Sequence, residues 1–121
     1  MLGFDYCVST LPPELEKYLD DRARRAHSLA YFFDGSGGPE STQDDLEARA
    51  LSQSGDGYPY RYRICAGDLL PILRRAQARY EDSWQGRLDR EKGHPPPRFG
   101  LELVAALPPE TVLYITSFDQ S

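Results

Sequence analysis

The fold is decided by a strand that runs directly into a helix, YPYRYRICAGDLLPILRRAQARYEDSW, residues 58–84. Its first nine residues alternate in character, which is typical of a β-strand with one buried face. Tyr60, Tyr62 and Ile64 share one face of this predicted strand, and the arginines between them share the other. We therefore expect the tyrosine face to enter the core.

A long helix is predicted to follow, because Gly67 and Asp68 can turn the chain and cap a helix start. Gly86 weakens the helical pattern by about 1 kcal/mol relative to alanine, so the helix should end or project from the domain between residues 86 and 93. An arginine face with spaced acids, such as Arg79 and Asp82, predicts salt bridges along its solvent side. Its apolar stripe consists of Leu69, Leu73, Ala76, Tyr80 and Trp84.

Further elements are predicted on both sides of this unit. Residues 2–9 alternate as a first strand, and Pro12 and Pro13 suit the first turn of a helix that continues to Phe33. Residues 99–105 and 111–118 suggest two more strands, of which the second is apolar on both faces and so favours a central position. The stripe of the first helix consists of Leu15, Leu19, Ala23, Ala26, Ala30 and Phe33.

The element order predicts an α+β fold, a two-layer sandwich in which two long helices cover one face of a mixed sheet of about four strands. A chain of 121 residues suits a single domain, here residues 1–121.

The whole net charge of −5 falls within residues 34–57, which hold six acids against one base, Arg49. The stretch is rich in glycine and serine, so it is predicted to be a flexible acidic excursion from the domain. Within it, Ser41 and Thr42 precede Asp44 and Asp45 at the spacing of a helix cap, which predicts a short helix over residues 43–52.

Composition argues against several classes of function. An acidic balance disfavours direct binding to nucleic acid and to anionic membranes, and no segment suits a signal peptide or a membrane span. His27, His94, Cys7 and Cys65 lack the spacing of a metal site or a nucleophile–base pair, so we expect no metal and no cofactor. A cytoplasmic, non-enzymatic protein is the resulting expectation.

The leading hypothesis is a protein-binding module, a small acidic inhibitor of the immunity, antitoxin or anti-defence type that engages a basic protein partner. Acidic side chains would steer the encounter, and a few aromatic anchors would supply most of the affinity. The predicted partner-binding residues are Asp44, Asp45, Glu47, Tyr58 and Trp84.

Two alternatives stay open. The Tyr/Arg strand, residues 58–66, could form a pocket for a small ligand or a nucleotide, with an enzymatic role included, in which Arg61, Arg63 and Tyr60 hold the ligand. A homo-oligomer that buries Trp84 is the other alternative.

Overall fold

The structure is a computed structural model that describes residues 4–16, 18–35, 41–54 and 60–119. Within these ranges the chain forms an α+β fold around a five-stranded sheet. The strands are β1 (Phe4–Ser9), β2 (Ser28–Asp34), β3 (Ser52–Ser54), β4 (Tyr60–Cys65) and β5 (Val112–Asp119). The helices are α1 (Pro13–Glu16), α2 (Asp21–His27), α3 (Thr42–Arg49), α4 (Ala66–Asp82), α5 (Trp84–Lys92) and α6 (Leu101–Ala105).

The sheet has the order β2-β1-β5-β4-β3, and every pair of neighbouring strands is antiparallel. The prediction of a mixed sheet of about four strands is therefore wrong on both counts. The central position predicted for the last strand is confirmed, since β5 lies between β1 and β4. The two-layer sandwich stays a prediction.

The largest correction concerns the first predicted helix, which is not continuous: it is divided into α1 and α2, and after His27 it gives way to the edge strand β2. In β2 the buried residues Ala30 and Phe32 alternate with the exposed Tyr31 and Phe33, so the period is two rather than 3.6. The register pairs Tyr6 with Phe32, and their rings stack at 5.3 Å. Pairing with β1 thus overrides a sequence pattern that also fits a helix.

The second correction concerns residues 99–105, where a strand was expected. Gly100 takes the left-handed conformation at φ 66°, which ends the extended run and starts helix α6. Val104 of α6 is buried in the core, so the apolar residues of this segment are used at helical spacing. Strand β5 pairs with β1 and β4.

The core lies between one face of the sheet and the helices that pack on it. Tyr62 and Ile64 of β4 are buried there, as the alternation predicts, while Arg61 and Arg63 are exposed on the other face. The largest fully buried side chains are Tyr6, Tyr62, Leu46, Ile64, Leu69, Ile72, Leu73, Leu113 and Ile115.

The long helix predicted after β4 is confirmed as α4, but it stops at Asp82, and α5 begins two residues later. Ser83 makes this break by capping α5, since its Oγ accepts from the Gly86 amide at 3.0 Å and donates to the Tyr80 carbonyl at 2.6 Å. Gly86 is buried against the end of α4 rather than exposed in a failing helix.

Substituting Gly86 by alanine is expected to lower the free energy of unfolding by about 1–3 kcal/mol. A Cβ at this position would overlap the Tyr80 carbonyl oxygen and lie 3.3 Å from the Glu81 Cα. Both are backbone atoms, so relieving the overlap requires the end of α4 to shift. This overlap outweighs the helix propensity that alanine would gain. Urea unfolding followed by circular dichroism measures the change.

The matched control is Gln85→Ala at the exposed neighbouring position, which should stay within about 0.5 kcal/mol of wild type. Stabilisation by Gly86→Ala would show that the α4–α5 break is not packed as described.

Candidate functional site

Helix α3 carries the acidic residues that were predicted to meet a partner, and the structure divides them into two groups. Asp44 and Glu47 are exposed, one turn apart on the helix. Asp45 accepts from Arg75 Nε of α4 at 3.0 Å, and its carboxylate is largely buried in that ion pair. The predicted cap is confirmed, because Ser41 Oγ accepts from the Asp44 amide at 3.1 Å. The acids that α3 exposes to solvent are therefore Asp44 and Glu47, and the basic residue Arg49 is exposed on the same helix.

Asp34, at the end of β2, forms a buried ion pair with Arg79 of α4. Arg79 Nη2 lies 3.1 Å from Asp34 Oδ2, and the two side chains are 26% and 7% exposed. The same carboxylate oxygen accepts from the Thr42 hydroxyl at 2.6 Å and from the Thr42 amide at 3.2 Å. Arg79 also donates to the Thr42 hydroxyl at 2.9 Å. The arginine predicted to serve the solvent face of α4 thus joins the start of α3 to the sheet.

The Gln43 amide fastens α3 to two strands at once. Its Nε2 donates to the Tyr62 hydroxyl at 2.6 Å and to Glu47 at 3.2 Å, while its Oε1 accepts from Tyr6 at 3.4 Å. Burial, helped by the negative charge of Glu47, raises the pKa of Tyr62 to about 12. Burial and then the charge of Asp34 raise the pKa of Tyr6 as well. Both phenols therefore stay protonated at neutral pH, which keeps this network intact.

A cavity of about 420 Å³ opens between the end of β2, the last turns of α4 and the start of α5. The Asp34–Arg79 ion pair and Asp89 of α5 both contribute to its lining. The principal lining residues are Phe33, Asp34, Arg79, Tyr80, Gln85 and Asp89.

Asp89 is held as an ionised carboxylate by neutral donors. The Tyr80 hydroxyl donates to its Oδ2 at 2.5 Å and Gln85 Nε2 donates to its Oδ1 at 2.9 Å, while His94 Nδ1 lies 3.5 Å from Oδ1. The hydrogen bonds from Tyr80 and then Gln85 lower the pKa of Asp89. Burial and the hydrogen bond to Asp89 raise the pKa of Tyr80 to about 12. At neutral pH the shared proton therefore resides on Tyr80.

Trp84 is the first residue of α5 and is 67% exposed. Its chain neighbours Ser83 and Gln85 line the cavity, whereas Trp84 itself does not. Phe33, which is 45% exposed, lines the same cavity from β2. The exposed tryptophan is therefore adjacent in sequence to two residues of the cavity wall.

Of the residues predicted for a small-ligand site, Arg61 and Arg63 share one face of β4, and Tyr60 lies on the other face. Tyr60 faces the core, where its ring lies 6.4 Å from that of Phe4. Arg61 and Arg63 lie on the opposite face of β4, where their cross-strand neighbours are Thr116 and Tyr114. Tyr58, predicted both for this strand and for partner binding, lies outside the described residues.

Sequence reasoning missed most of the cavity. The sequence pattern predicts Phe33 in the apolar stripe of a helix, Arg79 on a solvent-exposed helix face and Tyr80 in a core stripe. It predicts no ligand-binding role for Asp89, which also lines the cavity. The one available signal is the short continuous apolar run before Asp34, residues 29–33, whose aromatic enrichment favours a buried strand that ends at the acid.

Comparison with known proteins gives no further guidance, because no family model, no curated protein and no solved structure matches this chain. In the described part of the chain, no group of three or more histidine, cysteine, aspartate or glutamate side chains could hold a metal ion. None of the helices in that part is long and apolar enough to cross a membrane.

Proposed function

We propose that this chain is a non-enzymatic protein-binding module, a small acidic inhibitor of the immunity, antitoxin or anti-defence type, which engages a basic protein partner in the cytoplasm. The observation that carries the proposal is the exposure of Trp84 on a helix start that is capped and packed. Tryptophan is the residue type most enriched among side chains that dominate binding energy, and exposing one has a cost in water.

The acidic face of α3 supplies the electrostatic part of this proposal. Asp44 and Glu47 are presented on a helix that is capped by Ser41 and fastened to the sheet through Gln43. A rigid presentation reduces the ordering cost of binding, and exposed carboxylates accelerate association with a basic partner. Asp45 contributes less, because its charge is already compensated by Arg75.

We place the acidic face and the tryptophan on one partner surface. Arg79 donates to Thr42 at the start of α3 and lines the cavity together with Ser83 and Gln85. The Asp34–Arg79 ion pair therefore joins the start of α3 to the end of α4, directly before Trp84. This connection supports the proposal that a single partner contacts both.

Substituting Trp84 by alanine is expected to weaken partner capture about 30-fold, which corresponds to a hot-spot loss of about 2 kcal/mol. Asp44→Asn with Glu47→Gln should slow association and remove most of its salt dependence. Both effects are measured with tagged protein in lysate of the native source at low and high salt, followed by surface binding of the captured partner.

The matched control is Glu102→Gln with Glu110→Gln, which removes two exposed acids outside α3 and should leave capture unchanged. Equal loss in the control would mean that total charge, not this surface, drives the interaction. Capture that survives Trp84→Ala would overturn the assignment of the anchor.

The cavity favours a second candidate function, the binding of a small ligand. Its volume of about 420 Å³ lies within the range of small-molecule sites, and it combines aromatic walls with fixed polar groups. In this second proposal the ligand site lies at the end of β2 and not on the Tyr/Arg strand, so ligand binding should survive the double substitution Arg61→Ala with Arg63→Ala.

A homo-oligomer that buries Trp84 is tested by comparing the sedimentation of wild type with that of the Trp84→Ala variant.

A further inference from the structure

Two carboxylates line the cavity, and only one of them, Asp34, is bonded to a cationic side chain of the cavity wall. The charge of Asp34 is compensated by Arg79 at 3.1 Å. Asp89 receives hydrogen bonds from two neutral donors, Tyr80 and Gln85, and the nearest basic group is the largely exposed His94 imidazole at 3.5 Å. With His94 neutral, the lining therefore carries a net charge of −1, which disfavours an anionic ligand.

The aromatic walls add a second preference. Phe33 and Tyr80 line the cavity from opposite elements, β2 and α4. Aromatic rings attract cations, and arginine does so more often than lysine, whereas the ring bodies also bury the apolar stem of a long side chain. The open volume of about 420 Å³ exceeds what one side chain occupies.

We infer that this cavity binds a single alkylguanidinium or alkylammonium group, the chemistry of an arginine or lysine side chain, with Asp89 as its counter-ion and Phe33 as an aromatic wall. Where the cationic group belongs to a partner protein, the inference rests on the proposed function, and the group is a basic side chain that would insert beside Trp84. Where the cationic group belongs to a free amine or guanidine, the cavity is a separate small-molecule site.

The test uses the full chain, with butylguanidinium as the probe. It is carried out at pH 8, which lies above the range in which histidine side chains usually titrate. Binding is followed by calorimetry and by the fluorescence of Trp84, which is the protein's only tryptophan. We expect saturable binding of butylguanidinium and none of the neutral butylurea or the anionic butyrate.

Asp89→Asn is expected to weaken probe binding about tenfold, because it removes the charge and keeps an acceptor for Tyr80. Asp82→Asn is the matched control, an exposed acid at the end of α4 outside the lining, and it should bind the probe as wild type does. Phe33→Leu provides a second variant at a half-exposed position, where the fold is least at risk, and should also weaken binding.

Equal binding of butylurea, equal affinity in Asp89→Asn and Phe33→Leu, or no saturable binding of butylguanidinium would overturn the inference. These outcomes are measured without any partner, so they leave the capture experiment on Trp84 unaffected. If the probe binds, competition between butylguanidinium and the captured partner separates the two sources. Loss of capture indicates an inserted side chain, and unchanged capture indicates a free amine.

Discussion

Substituting Asp34 by alanine is expected to lower the free energy of unfolding by about 3–5 kcal/mol. The change leaves the guanidinium of Arg79 in a mostly buried position without the carboxylate it faces at 3.1 Å. It also removes the acceptor for the Thr42 hydroxyl and amide, which hold the start of α3. Urea denaturation followed by circular dichroism gives the difference.

The matched control is Asp45→Ala, which breaks the more exposed ion pair with Arg75 and should cost less than about 1 kcal/mol. A double variant, Asp34→Leu with Arg79→Met, should recover only the part of the loss that comes from the unpaired charge of Arg79, because the buried Thr42 hydroxyl and amide still lack their acceptor. A cost of Asp34→Ala no larger than that of Asp45→Ala would show that the pair is solvated and that α3 is not anchored through it.

Substituting Gly100 by alanine is expected to cost about 2–4 kcal/mol of stability, the second largest effect of a single change. Part of the cost is the left-handed conformation at φ 66°, which alanine adopts at about 1–2 kcal/mol. The rest is steric, because a Cβ would overlap the Leu29 carbonyl oxygen and lie 3.3 Å from the Ala30 Cβ in β2. Thermal and urea unfolding both measure it.

Gly93→Ala separates the two contributions. Gly93 has nearly the same φ, 69°, but a Cβ there would meet nothing within 4 Å. Its substitution should therefore show only the conformational cost of about 1–2 kcal/mol. If both glycines cost the same, the close approach of Gly100 to β2 is not part of the folded structure.

Several elements of the fold were predictable because their sequence period has only one interpretation. Strand β4 alternates over six residues, and the apolar spacing of α4 suits only a helix. The short helix α3 was predictable from its cap at Ser41. Strand β5 was recognisable as central because its residues are apolar on both faces.

The errors arise where a tertiary contact decides between two local options. Residues 28–34 fit a helix stripe, yet pairing with β1 gives each of their aromatic residues a strand environment. Residues 99–105 fit a strand, yet Gly100 turns the chain because its backbone must approach Leu29 closely. Neither contact is encoded within the segment that it determines.

The candidate site was less predictable than the fold. The sequence pattern predicts Trp84 at the end of the apolar stripe of α4, whereas the structure exposes it as the first residue of α5. The acidic face of α3 follows from composition. The cavity depends on contacts between distant residues, such as Asp34 with Arg79 and Tyr80 with Asp89, which no local period indicates. Part of the acidic stretch serves the fold, since Asp34 and Asp45 form ion pairs with arginines of α4.

The central claim is that one partner contacts both the acidic face of α3 and Trp84. It is tested most directly by site-specific photo-crosslinking in cells of the native source. Glu47, Gln85 or Glu110 is replaced in turn by the photoreactive amino acid benzoylphenylalanine, and the crosslinked proteins are identified by mass spectrometry. We expect positions 47 and 85 to crosslink to the same basic protein and position 110 to crosslink to none. Different proteins from positions 47 and 85, or equal crosslinking from position 110, would contradict the central claim.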